Sequence, residues 1–334
     1  MPVCRINYFE GGLQAHLASQ SVGSLLEHAA TTSPSARIVF MIHGYSFRPH
    51  QGRHCPHEHI FSLTEPRRRE KVVSWPKRLG ISETCEDAAL AVAFGWDARG
   101  PFHKVYQRAK QAGRALAQAV RILRAAAPNR PIYAIGHSLG ARVILQSLLH
   151  LELGAFRRII LLNPAEYRQA AEGALEFNGH PMTETLIVTS GENRLFDLLM
   201  AGLSKPEHAG DRPWSQCVRQ RSTTYKLQID CDETLAHLAL AGFPITRQRK
   251  RFCHWSPYLR DGTFGLYQAL IEDPERTPLS AICASPPSAQ ASSDNARWHL
   301  FAKGYSSSIA YSVKSFDWLM KKTNIAAVSP KVLK

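Results

Sequence analysis

Residues 131–140 read PIYAIGHSLG, and no other part of the sequence carries as much structural information. Ile132 to Ile135 form a short apolar run of the kind that becomes a buried strand. Gly136 to Gly140 follow at once and place a serine between two glycines. A helical pattern of apolar residues then runs from Ala141 to Leu153. The stretch therefore predicts a buried strand, a tight turn that carries Ser138, and a helix.

Four other apolar, β-branched runs have the same character as this strand. They are residues 37–42, 90–94, 158–162 and 185–189. Near-continuous hydrophobicity, rather than alternation, is typical of parallel strands that helices cover on both faces. Helical patterns lie between the runs, and the longest covers residues 104–127 and stops at Pro128. This order predicts an α/β fold with a doubly wound, mostly parallel sheet.

The composition changes twice along the chain. Residues 47–87 are rich in His, Arg, Pro and Glu and lack a regular period, so we predict a lid-like insertion within a domain of residues 1–283. The sequence ASPPSAQASSDNA indicates a flexible linker at residues 284–296. Residues 297–334 contain aromatic side chains without a clear place in the sheet, and we expect a C-terminal extension with partial disorder.

The composition favours a cytoplasmic protein. The sequence contains no apolar run of about 18 residues, which a membrane-spanning helix would need. The first residues, MPVCRINYFEGGLQ, lack the charged-then-apolar order of a signal peptide. The 7 cysteines include no Cys-x-x-Cys pair, so a disulfide framework is not expected.

The chain is basic, with 41 Lys and Arg against 27 Asp and Glu. Its densest basic runs, residues 67–71 and 247–251, are short, and no nucleic-acid-binding motif accompanies them. We therefore expect a basic, solvated surface and no specific nucleic-acid partner. Docking on nucleic acid or on an anionic membrane is the alternative. The sequence makes no prediction about the oligomeric state.

Ser138 is the predicted nucleophile of a serine hydrolase. A Gly-x-Ser-x-Gly motif between a strand and a helix holds the serine on a strained turn, where flanking glycines avoid Cβ clashes. The helix begins beneath the serine, so the amide of Leu139 points toward the oxygen that becomes negative. The second donor is predicted to be the amide of Tyr45, which follows an earlier strand. We interpret His43 as a spacer or brace and not as a base.

The general base is predicted to be His254. It lies in the loop RFCHWSPYLRDG, which leads into a helix and suits an orientable imidazole. His237 lies in a helical apolar pattern, which is typical of a packed helix residue, and His299 follows the linker. Both are weaker candidates.

The acid that orients the base is expected just after the strand at residues 185–189, in TSGENRLFDLL. Glu192 lies nearer to the end of the strand. Asp197 lies one helical turn beyond Arg194 and could face the same side. Both carboxylates remain candidates, with a slight preference for Glu192. The alternative interpretation of Asp197 is a surface salt bridge with Arg194.

Residues 50–59, HQGRHCPHEH, are dense in possible zinc ligands. Their spacing is irregular and no distant ligand pair completes a standard zinc pattern, so we predict no metal and no cofactor. The histidines are expected to shape the entrance of the active site. The specific hypothesis is that His57 or His59 lies near its mouth.

The chain resembles the α/β-hydrolase superfamily, and specifically a group of poorly characterised bacterial hydrolases. The resemblance is carried by FMIHGY (40–45), AFGWD (93–97), IGHSLGA (135–141), LNPA (162–165), TSGEN (189–193) and HWSPY (254–258). At Arg194 the chain departs from many relatives, which place an aspartate there, and this leaves the acid open.

The resemblance implies an α/β-hydrolase type of sheet and a serine hydrolase mechanism. Ser138 would attack the acyl carbonyl of a small-molecule ester, and His254 would take its proton. Glu192 or Asp197 would hold the imidazole in the right tautomer. Carboxylic esters, lipid esters among them, are the expected substrates. Thioesters, amides, lactones and a catalytically inactive binding module are the alternatives.

Overall fold

The structure is a computed structural model. It describes residues 3–17, 20–33, 37–64, 72–82, 89–177, 182–247 and 251–284. The chain separates into two compact units, residues 1–284 and 285–334, and everything described below belongs to the first. The predicted linker, the predicted C-terminal extension and His299 lie outside the described residues.

One eight-stranded sheet forms the centre of this unit. Its strands are β1 (Val3–Phe9), β2 (Gly12–Ala15), β3 (Ile38–Ile42), β4 (Leu90–Trp96), β5 (Ile132–His137), β6 (Arg158–Leu162), β7 (Glu184–Thr189) and β8 (Thr224–Gln228). The order across the sheet is β2-β1-β4-β3-β5-β6-β7-β8. Only β1 and β2 pair antiparallel. The predicted α/β fold with a mostly parallel sheet is confirmed, and it is consistent with the α/β-hydrolase type.

Burial along the strands follows their position in the sheet. Every residue of β3, β4, β5 and β6 is buried, as expected for parallel strands covered on both faces. Of the two edge strands, β2 has no buried residue and β8 mixes buried with partly exposed residues. The continuous apolar runs in the sequence therefore identify the centre of the sheet and miss its edges.

Helices accompany the sheet along the described part of the chain. They are α1 (Val22–Thr32), α2 (Trp75–Arg78), α3 (Phe102–Ala126), α4 (Leu139–Leu148), α5 (Arg168–Glu176), α6 (Arg194–Leu203), α7 (Asp232–Leu240), α8 (Ser256–Leu259), α9 (Thr263–Glu272) and α10 (Leu279–Ile282). Short 3-10 turns lie at Gly52–His54, Pro56–Glu58, Gly191–Asn193 and Trp214–Gln216. Helices α1, α3, α4 and α5 pack side by side, and α9 packs against α2 and α8. Within the described ranges, no helix is both long and apolar enough to cross a membrane.

The strand order reverses direction between β3 and β5. From β3 the chain moves to β4 on one side, and it then returns to place β5 on the other side of β3. Ile42 at the end of β3 pairs with Gly136 near the end of β5, so the two carboxyl ends lie level. In open α/β sheets, ligands bind in the crevice at such a reversal. The fold thus brings the loops after β3 and β5 to the expected position of a site.

The described parts of residues 47–87 pack onto the body of the domain. Trp75 in α2 is fully buried, with its ring centroid 5.8 Å from that of Phe61 and 5.4 Å from that of Tyr258. The contact of the buried indole with Tyr258 anchors this segment to α8. The role of the segment as a lid stays a prediction.

Candidate active site

Ser138 lies on a strained turn between β5 and α4. Its φ of 57° and ψ of −121° fall outside the regions that a residue with a Cβ adopts without cost. Its backbone N–H donates to the carbonyl of Leu162 at 2.9 Å. Its carbonyl accepts from the amides of Ala141 and Ala165, both at 3.1 Å. Three backbone hydrogen bonds therefore hold the strained serine in place.

The glycines of the motif are required by close packing. A Cβ on Gly136 would lie 2.6 Å from the Cδ1 atom of Ile144, closer than real carbon atoms approach. A Cβ on Gly140 would overlap the carbonyl oxygen of Ile42 at the end of β3. The backbone of the turn thus lies directly against the neighbouring strand, as the motif predicts.

The loop after β3 passes next to the nucleophile. A Cβ on Gly44 would lie 2.9 Å from the Cβ of Ser138 and 2.8 Å from the carbonyl oxygen of His137. The chain at Gly44 and Tyr45 therefore borders the space in front of the serine. The amides of Tyr45 and Leu139 stay the predicted oxyanion donors.

His43 is a buried brace between β3 and β4. Its Nε2 accepts from the backbone N–H of Trp96 at 3.0 Å, and its own carbonyl accepts from the indole of Trp96 at 3.0 Å. Its Nδ1–H donates to the carbonyl of Gly44 at 2.9 Å. Burial lowers the pKa of His43 to about 3, so the ring stays neutral. Both ring nitrogens are engaged, which agrees with a bracing role.

His254 is held against the serine turn. Its carbonyl accepts from Nε2–H of His137 and from Nδ2 of Asn163, both at 2.9 Å. Its ring centroid lies 4.4 Å from that of His137, which precedes the serine, and 4.8 Å from that of Phe196. Burial, with a smaller contribution from His137, lowers its pKa well below the usual value. The imidazole is therefore neutral at pH 7, as a general base must be.

Asn193 is the direct partner of the imidazole. Nδ1–H of His254 donates to Oδ1 of Asn193 at 2.5 Å, and Asn193 is only 1% exposed. This hydrogen bond fixes the tautomer that leaves the lone pair on Nε2. The sequence reasoning missed Asn193 because it considered only carboxylates. The position of Asn193 just after β7 could have identified it, because an asparagine orients the catalytic histidine in papain-like proteases.

Asp197 accepts a hydrogen bond from the side-chain amide of Asn193. Its Oδ1 accepts from Nδ2 of Asn193 at 2.8 Å, and its Oδ2 accepts from Nε2 of Gln216. Burial raises the pKa of Asp197 to about 7, against the opposing hydrogen bonds from Gln216 and Ser215. With 2% exposure, the carboxyl group is buried and does not lie on the surface, although the charge of Arg194 also acts to lower its pKa.

Glu192 forms a buried ion pair. Its Oε1 accepts from Nη2 of Arg260 at 2.7 Å, and both side chains are at most 5% exposed. The hydrogen bonds thus revise the predicted arrangement of the two carboxylates. The single N–H on Nδ1 of His254 goes to Asn193, so neither Glu192 nor Asp197 is its direct partner. Asp197 is joined to the imidazole through Asn193.

The remaining histidines of the prediction have partners of their own. Nε2–H of His57 donates to Oδ1 of Asn7 at 2.7 Å, and the ring of His59 packs edge-on against Phe47 at 5.2 Å. Their place near the mouth of the site stays a prediction. In the part of the chain that the structure describes, no three His, Cys, Asp or Glu side chains are arranged to hold a metal ion. His237 is a partly exposed residue of α7, and its Nε2–H donates to the carbonyl of Ala281 at 2.8 Å.

Comparison with known proteins gives a short match and a distant likeness. Residues 95–161, which include Ser138, match a family described as "Protein of unknown function (DUF726)". A search of the curated proteins gave no match. Solved structures do match, among them a Trichoderma reesei cutinase in complex with a C11Y4 phosphonate inhibitor. That chain is 12% identical, with 52% of this chain and 76% of the cutinase covered and a TM-score of 0.28. At this score the likeness carries no argument about activity.

Proposed function

We propose that the chain is a serine hydrolase that cleaves carboxylic esters through an acyl-enzyme intermediate. The observation that carries the proposal is the setting of His254. It is buried and neutral, its Nδ1–H is committed to Asn193, and its ring contacts the residue before the strained Ser138. A serine alone is a weak nucleophile, and a base oriented in this way is what activates it.

In the first half of the reaction, Oγ of Ser138 attacks the carbonyl carbon of the ester. Nε2 of His254 takes the hydroxyl proton as the new C–O bond forms. The tetrahedral oxyanion accepts hydrogen bonds from the amides of Leu139 and Tyr45. Collapse of this intermediate expels the alcohol, which receives its proton from His254 and leaves an ester on Ser138.

In the second half, a water molecule attacks the acyl-enzyme. Nε2 of His254 takes a proton from this water, and the same two amides stabilise the second oxyanion. Collapse releases the carboxylic acid, and the proton on His254 returns to Oγ of Ser138. Atoms and charges balance without a cofactor.

Asp197 gives the neutral Asn193 a defined orientation. An amide can present either its oxygen or its NH₂ to the imidazole, and only the oxygen supports the productive tautomer. An ionised carboxylate is an acceptor only, so Asp197 requires the NH₂ of Asn193 to face it. The amide oxygen must then face His254. The negative charge also favours the imidazolium that forms during the reaction.

The proposal is tested by the hydrolysis of p-nitrophenyl esters of increasing acyl length, with Ser138→Ala as the control. We expect turnover by the unaltered chain and none above background by the variant. Turnover of thioesters, amides or lactones in place of every ester would move the proposal to that substrate class. Absence of turnover on all four classes, in a protein that also fails to react with a fluorophosphonate, would leave a binding module.

A further inference from the structure

Helix α6 buries its one carboxylate. Asp197 lies on the inner face of the helix, together with the apolar Phe196 and Met200. A helix on the surface of a globular protein normally keeps its charged residues on the outer face. The inner face of α6 is therefore occupied by the residues that serve the proposed active site.

The outer face of α6 is made of leucine. Leu195, Leu198 and Leu199 are partly exposed, and the exposed Gly202 completes the spacing of one helical face. Leu203 is partly exposed as well. Exposure of this row of leucines to water is unfavourable, and covering it with an apolar surface would lower the free energy.

A second exposed apolar side chain lies close to the base in the sequence. Phe252 is 46% exposed and lies two residues before His254. Trp255 packs edge-on against Phe196 of α6 at 5.5 Å, which joins the 251–255 loop to the helix. Helix α6 contacts His254 through Phe196 at 4.8 Å, and Phe252 belongs to the loop that carries His254. The outer face of α6 and Phe252 are called the apolar rim below.

The charges around the apolar rim are positive. Exposed Arg194 and Lys205 lie at the two ends of α6, and exposed Arg251 precedes Phe252. The next acidic residue after the helix, Glu207, is turned toward Lys110 at 2.5 Å. The whole chain carries a formal net charge of +14. Leucine and phenylalanine bordered by Arg and Lys are the chemistry that binds an anionic lipid surface.

We propose that the apolar rim docks on an anionic phospholipid bilayer, which brings lipid esters to Ser138. The first part, the docking surface, is supported by the exposure and the charge of the apolar rim. The second part, a membrane lipid as substrate, rests on the proposed hydrolase function. In this arrangement one face of α6 binds the bilayer while the other holds Asn193 and Asp197.

Docking is tested by co-sedimentation of the full chain with vesicles. The Ser138→Ala variant is used so that no lipid is consumed. We expect binding to vesicles of equal parts phosphatidylglycerol and phosphatidylcholine, and much weaker binding to phosphatidylcholine alone. The double variant Leu198→Gln, Leu199→Gln should reduce the partition coefficient on the order of tenfold, because two partly exposed leucines no longer insert.

Two matched variants give the controls. Leu153→Gln changes a leucine that is 50% exposed beyond the end of α4, which runs away from the carboxyl edge of the sheet, and binding should not change. Arg251→Gln should weaken binding to the anionic vesicles about fivefold and leave binding to phosphatidylcholine unchanged. Thermal melting shows whether each variant is folded.

The outcomes separate the two proposals. If the full chain does not sediment with anionic vesicles, the docking proposal is overturned. This result is expected if another protein or residues 285–334 cover the apolar rim. Equal binding by the Leu198, Leu199 double variant would also overturn the docking proposal. Hydrolysis of soluble esters without vesicle binding would leave the hydrolase proposal standing alone. Vesicle binding without any reaction at Ser138 would remove the lipid-ester substrate and keep the docking surface.

Discussion

Substitution of Asp197 by asparagine removes one negative charge and leaves the size of the side chain almost unchanged. The variant Asp197→Asn loses the acceptor that fixes Asn193, since the new amide can also donate. It also loses the charge that favours protonated His254 in the transition state. We therefore expect a lower kcat with little change in KM, because no substrate contact is removed.

The size of the effect follows from the hydrogen-bond chain. The bonds from His254 to Asn193 and from Asn193 to Asp197 are 2.5 and 2.8 Å long. With an amide between them, the carboxylate lies no more than about 7.5 Å from Nδ1. At an effective dielectric constant of about 20, a unit charge at that distance is worth about 2 kcal/mol. This corresponds to a decrease in kcat/KM of about 30-fold.

The pH profile identifies Asp197 as the titrating group. Its pKa is about 7, so the unaltered enzyme loses the charge as the pH falls through this value. Activity should then decline to the level of Asp197→Asn and stay there, because His254 titrates much lower. The variant itself should be flat across this range. Initial rates on a soluble ester at a series of pH values give both profiles.

Stability separates this effect from unfolding. Burial raises the pKa of Asp197, so the folded state binds the proton more tightly than the unfolded state does. The free energy of unfolding therefore decreases as the pH rises from about 4 to about 7, and a neutral side chain removes this loss. Asp197→Asn should be less active and yet melt at a higher temperature than the unaltered chain at pH 8.

Two further variants complete this test. Exchange of the two side chains, in Asn193→Asp with Asp197→Asn, places a carboxylate directly at Nδ1 and should restore activity. Glu192→Gln removes the carboxylate that pairs with Arg260, and should reduce stability while leaving kcat/KM of the folded protein within a few-fold. An unchanged kcat/KM in Asp197→Asn, or a large loss in Glu192→Gln alone, would refute the assignment.

Two more predictions concern the turn and the histidine-rich segment. Gly44→Ala should reduce kcat at least about 100-fold, because the added Cβ would displace the loop that faces Ser138. Gly173→Ala is the control. Its added Cβ lies in open space on α5, and it should raise the free energy of unfolding by about 0.5–1 kcal/mol. Urea unfolding should become easier as the pH falls from about 6.5 to about 4, because burial and the neighbouring His50 lower the pKa of His16 to about 4. His16→Gln should make this dependence less steep; the other buried histidines, such as His43 and His254, contribute the rest.

The sequence was sufficient for the centre of the fold. Continuous apolar runs identify β3 to β7, because strands buried on both faces contain few polar residues. The edge strands β2 and β8, and β1 beside β2, were missed, because partial exposure mixes polar with apolar residues in stretches such as TYKLQ. The glycine spacing around Ser138 was informative because a Cβ at either glycine would overlap neighbouring atoms.

The third member of the site could not be derived in the same way. Spacing along the chain limits the candidates to the turn after β7, but only the folded turn shows which side chain faces His254. Glu192 and Asn193 are adjacent in the sequence and point to different partners, Arg260 and His254. Asp197 contributes through Asn193, a relation that depends on the positions of three side chains.

The central claim is that Ser138 is an activated nucleophile, and covalent labelling tests it most directly. A fluorophosphonate reacts with a serine that a neighbouring base deprotonates, and the mass of the intact chain reports the adduct. We expect one adduct on the peptide that contains Ser138, none in Ser138→Ala, and slower labelling in Asp197→Asn. A chain that stays unlabelled, or a Ser138→Ala variant that is labelled as fast as the unaltered protein, would contradict it.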